Sequence, residues 1–87
     1  MSLLYIAAAA LLAGAIITVA VSMLTKDKAR SLIRDKLNEP IGAVIKKMRQ
    51  EGGITRISMS ALSSDNEMEI EAESTDGSFR VGETIYT

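Results

Sequence analysis

The sequence has no cysteine, no histidine and no tryptophan among its 87 residues. Without cysteine there is neither a disulfide framework nor a thiolate metal site. Without histidine the commonest general base and the commonest metal ligand are missing. One phenylalanine and two tyrosines are poor material for stacking on bases or sugars. The length allows at most one small domain with an appendage. Charge is missing from one long stretch. Residues 3–24, LLYIAAAALLAGAIITVAVSML, contain no Asp, Glu, Lys or Arg.

That stretch sets the first expectation. As a helix, its 22 residues would reach about 33 Å, enough to cross a hydrocarbon core of about 30 Å. A cleaved signal peptide would need a basic leader and a shorter apolar core, and only Met1 and Ser2 precede this run. The expectation is a transmembrane helix over residues 3–24. Lys26, Lys28, Arg30, Arg34 and Lys36 follow it and no charge precedes it. These five set topology by the positive-inside rule, with the N-terminus outside and the remainder in the cytoplasm, next to membrane lipid. Ala10, Gly14, Thr18 and Ser22 lie four apart. In a helix they form one small-residue ridge suited to helix association.

The overall net charge of −1 hides a segregation. Residues 25–50 carry eight basic and three acidic side chains; residues 51–87 carry eight acids and two arginines. Ala29, Leu32, Ile33 and Leu37 recur at helical spacing, so residues 25–39 read as a basic juxtamembrane helix and linker. Pro40 ends it. The next run, IGAVIKKM, has a helical face of Ile41, Val44, Ile45 and Met48, yet also fits a first strand. Downstream, Ile54–Leu62, Glu67–Glu73 and Ser78–Thr87 alternate as strands, with turn signals at SSDN and TDG. The expected inward set is Val44, Ile57, Met59, Ala61, Met68, Ile70, Ala72, Phe79, Val81 and Ile85.

Glu67, Glu69, Glu71 and Glu73 form a comb. Strand geometry places them on one face about 6–7 Å apart, and Met68, Ile70 and Ala72 on the other. A straight row does not converge on a cation, which needs several oxygens at about 2.0–2.6 Å. Nor does it make a cleft with one raised carboxyl, as paired-carboxylate hydrolysis requires. The comb reads as the wet face of a half-buried sheet. No phosphate loop or GxGxxG is present, and the acidic C-terminal block disfavours nucleic acid. The expectation is therefore no catalysis, no cofactor, no metal and no small-molecule substrate.

PIGAVIKK, EGGITRIS and EIEAESTDGSFRVGETIYT together resemble the small OB-like β-barrel domain of the NfeD proteins. The likeness is to the short membrane-bound members that accompany bacterial flotillins. The matching positions are Gly42, Gly52, Gly53, Ala72, Ser74, Asp76, Gly77, Gly82 and Glu83, within residues 40–87. This chain departs from the family in having one apolar stretch where such members commonly have several. The resemblance implies a small all-β OB-like domain over residues 40–87. It further implies a non-enzymatic, membrane-anchored scaffold that partners a flotillin-like (SPFH) complex at the bacterial plasma membrane, as a homo- or hetero-oligomer. Asp65 and Asp76, in the exposed turns, are the expected partner contacts. The alternative fold is α+β, with a helix over 41–50 on a three-stranded antiparallel sheet. The alternative function is a small single-pass subunit or regulator of a transporter or secretion complex.

Overall fold

The computed structural model describes residues 16–87. Five strands and one helix make up the fold: β1 (Ile16–Leu24), α1 (Lys26–Asp35), β2 (Gly42–Glu51), β3 (Ile54–Ala61), β4 (Glu67–Thr75) and β5 (Thr84–Tyr86). The sheet order is β1-β4-β3-β2-β5. β1 runs parallel to β4, and every other pairing is antiparallel.

The first strand overturns the expectation of a transmembrane helix over 3–24. The described part of that stretch, residues 16–24, is a strand. Among the described residues no helix is long and apolar enough to cross a membrane. The physical reason is in the residues themselves. Ile16, Ile17, Thr18, Val19 and Val21 are β-branched and favour a pleated surface. Ile17, Val19 and Val21 pack against the core, while Thr18, Ala20 and Ser22 are exposed. A strand half-buried on one face and uncharged on the other lacks charge just as a span does. With residues 16–24 in the sheet, the single-pass architecture and the membrane orientation built on it lose their basis.

The basic segment is a helix as expected, and it packs one face on the sheet. Thr25 caps it, with its hydroxyl accepting from Lys28 N at 3.2 Å. Ala29, Leu32 and Ile33 are buried, as is Leu37 just beyond. Asn38 takes the left-handed conformation (φ 55°) that closes many helices, and Pro40 follows. α1 crosses from β1 to β2 and packs chiefly over β2 and β5.

Residues 42–51 are a strand, which excludes the alternative helix over 41–50. A register shift between Ile45 and Lys47 explains the helical look of the sequence. Ahead of it, Ala43 and Ile45 point into the core; after it, Met48 does. The extra residue of the bulge turns a spacing of two into one of three. Val44 lies between Ala43 and Ile45 on the opposite face of the strand and is only half-buried, against expectation. Gly52 and Gly53, at φ 58° and 82°, make the two-residue hairpin turn into β3.

β3 and β4 alternate as expected, burying Ile57, Met59, Ala61, Met68, Ile70 and Ala72. The last run does not form one strand. Only Thr84–Tyr86 pairs, against Gly42, Ala43 and Val44. Phe79 and Ile85 are buried, while Val81 is 60% exposed in the turn before Gly82. Among the described residues the sheet is open, with β1 at one edge and β5 at the other. The β domain expected to stand on 40–87 also draws its core from residues 16–37.

Candidate functional site

Among the described residues Glu39 is the one acidic side chain that is buried, at 2% exposure. It sits where α1 hands over to β2. Its carboxylate accepts from Ile41 N (3.0 Å), Gly42 N (3.3 Å), Ser63 N (3.3 Å) and Ser63 Oγ (2.6 Å). Every donor comes from the chain itself, so Glu39 ties two loops together and leaves nothing free for a substrate. The Ser63 hydroxyl and these amides hold its carboxyl below the usual glutamate range. A carboxyl lowered on folding gives stability that is full above the ordinary glutamate pKa, near about 4.3. That stability is lost as pH falls through the lowered folded value. Asp76, held down by Ser78, and Glu83, held down by Lys26, act with the same sign. Urea midpoints should therefore fall on acidification below about pH 5, and Glu39→Gln should lose stability at pH 7 while showing a shallower acid dependence. An unchanged acid slope in that variant would remove Glu39 from the account.

The comb lies in the middle of the outer face. On one side Arg56, Ser58 and Ser60 stand beside Glu71, Glu69 and Glu67. On the other, β1 places Ile16, Thr18 and Ala20 beside Glu67, Glu69 and Glu71. Arg56 bonds Glu71 at 2.8 Å and approaches Glu51 at 3.5 Å. Among the described residues no group of three or more acids is placed to hold a metal ion. The depressions on this face are open and shallow. One is lined by Ala20, Ser22, Ile54, Glu71 and Glu73.

Of the basic residues expected at a membrane surface, Lys26, Lys28, Arg30 and Arg34 lie along α1, and Lys36 caps its C-terminal end. Lys26 bonds Glu83 and lies 5.3 Å from the centre of the Phe79 ring, fastening α1 to the segment before β5. Arg30 pairs with Asp27 at 2.6 Å, and Arg34 lies 3.6 Å from Asp35. Lys28 and Lys36 are exposed. Asp65 and Asp76 are exposed in turns at opposite ends of β4, so they form no joint surface. Asp76 also closes its own turn by accepting from Ser78 N and Oγ at 3.0 and 2.6 Å.

Of the small-residue ridge, Ala10 and Gly14 lie outside the described residues. Thr18 and Ser22 are on β1, where residues four apart share a face as they would on a helix. Together with Ala20 they line the exposed side of the terminal strand. Among the described residues, β1 pairs with β4 alone, so its other edge meets no strand. This edge is nine residues long and uncharged throughout. Comparison with protein-family models, curated proteins and solved structures finds no match to this chain.

Proposed function

We propose that this chain is a non-enzymatic assembly protein whose working surface is the edge of β1 that faces away from β4. The observation that carries the reading is the length and neutrality of that edge. A long, flat, uncharged edge presents a row of backbone N–H and C=O groups ready to pair with another strand. Proteins commonly blunt such edges with charge, bulges or brevity. The opposite side of this sheet does so. β5 has three residues, and the part of β2 beyond it carries Lys46, Lys47, Arg49 and Glu51 behind a bulge. β1 has none of these devices. Pairing by strand addition takes its affinity from main-chain hydrogen bonds and its selectivity from alternate side chains.

The NfeD resemblance makes a flotillin-like scaffold protein the first heterologous partner to examine. The test is amide hydrogen exchange on the complex recovered from native cells with the tagged full chain, compared with the isolated chain at high dilution. Protection gained over residues 16–24 is the expected result. A complex in which those amides exchange as they do in the diluted chain would remove β1 as the working surface.

A further inference from the structure

We infer that the occupant of the β1 edge is a second copy of this chain, paired antiparallel about a two-fold axis at Ala20 to give one continuous ten-stranded sheet. The inference rests on the edge-pairing reading above and names its partner.

The strand is self-complementary. The register that pairs all nine residues of IITVAVSML with a second copy sets Thr18 against Ser22, Val19 against Val21, Ile17 against Met23, and Ala20 against itself. Partners in this register have the same parity, so Val19 and Val21 meet on the core side and Thr18 and Ser22 on the outer side, while the end pair sets exposed Ile16 against buried Leu24. On the outer face the Thr18 and Ser22 hydroxyls lie within reach of each other across the junction. Cross-strand hydroxyl pairs and β-branched pairs are the contacts that stabilise antiparallel ladders.

The core side points the same way. Ile17, Val19 and Val21 are only half-buried, because α1 packs chiefly over β2 and β5 at the far end of the sheet. A two-fold copy would bring a matching apolar strip alongside them and extend the core across the junction.

Charge separates this occupant from an acidic one. The glutamate row of β4 lies one strand in from the edge. An acidic strand added there would sit about two strand spacings, roughly 10 Å, from that row. A second copy brings an uncharged β1 to that place, and its own glutamate row stays three spacings away, about 14 Å.

The test is sedimentation equilibrium of the full chain with three variants. Wild type is expected to be a dimer. T18K/S22K puts like charges at both outer pairs and should raise the dimer dissociation constant more than about tenfold. The fold should survive, since Thr18 stands beside Glu69 and the comb welcomes added positive charge. T18K/S22E sets opposite charges across the two-fold and should restore the dimer, which a parallel pairing would not do. A20C, in a chain with no other cysteine, should form a disulfide dimer on mild oxidation without depending on the lysine variants folding. A monomeric wild type, a T18K/S22K dimer as tight as wild type, or an A20C chain that stays uncrosslinked would overturn the proposal. A monomer whose β1 amides are protected by a different polypeptide defeats the second-copy inference alone. A monomer whose β1 amides stay unprotected in every complex defeats the edge-pairing reading as well.

Discussion

Replacing Ile33 by alanine is expected to lower the stability of the chain by about 3 kcal/mol. Ile33 is fully buried, in a cluster with Leu24, Ala29, Leu32 and Leu37 that joins the helix to the sheet. Losing its outer carbons forfeits transfer free energy and leaves a cavity that a close-packed interior closes only in part. For a domain this small, total stability lies near 5–10 kcal/mol, so the loss is a large share. It corresponds to a fall in Tm of roughly 12–24 °C, taking about 4–8 °C per kcal/mol. The sign is what separates the two views of residues 25–39. In a juxtamembrane linker helix standing free of the sheet, Ile→Ala would be neutral or slightly helpful, because alanine is the better helix former. Arg30→Ala, on the exposed side of the same helix, provides the contrast. Its pair with Asp27 is a surface pair worth about 0–1 kcal/mol. Thermal unfolding of both variants measures the difference.

The second large effect is expected at Gly42. A Cβ on this residue would sit 2.5 Å from the backbone oxygen of Ile85 and 3.0 Å from Cα of Tyr86. Both neighbours are backbone, so no side-chain rotation relieves the contact. Gly42 is also the residue through which β2 begins its pairing with β5, opposite Tyr86, and its N–H bonds Glu39. Gly42→Ala must therefore push β5 away or shift the start of β2. Overpacking of this kind costs about 1–3 kcal/mol. Here detachment of Ile85 and Phe79 from the core would put the effect at the upper end. Amide exchange gives the spatial signature: Tyr86 and its neighbours should lose protection, while the β3–β4 pairing keeps it. Gly52→Ala is the useful comparison. Nothing lies within 4 Å of its added carbon, and only its left-handed backbone is strained. Equal exchange at Tyr86 in wild type and Gly42→Ala would show that the close approach is not what holds β5.

How far the sequence alone reaches differs from one element to the next. β3 and β4 were legible because strict alternation of Ile57, Met59, Met68 and Ile70 with polar residues has one reading in a short run. The glutamate comb was legible as a wet face for the same reason. The helix was legible from Ala29, Leu32, Ile33 and Leu37, but not what it packs against. Periodicity states which face is apolar and says nothing of whether lipid, solvent or a sheet lies nearby. β2 was ambiguous because its bulge shifts the phase between Ile45 and Met48. β1 was misread because hydropathy counts charge, and a core-facing edge strand can be as free of charge as a span. Its β-branched run from Ile16 to Val19 was the available signal. Glu39 carried no local mark. Its role depends on Ser63, twenty-four positions away, and no spacing rule connects a carboxylate to a hydroxyl in a distant turn.

Everything proposed for this chain depends on residues 16–24 being a sheet strand beside β4. NMR of the full chain tests that most directly, through backbone chemical shifts and interstrand NOEs. The account predicts extended shifts from Ile16 to Leu24, with contacts linking Val19 to Ile70 and Val21 to Ala72, as the parallel register requires. Helical shifts across those residues, with contacts between positions three and four apart and none to β4, would contradict it. The edge, the pairing surface and the second copy would then be withdrawn together.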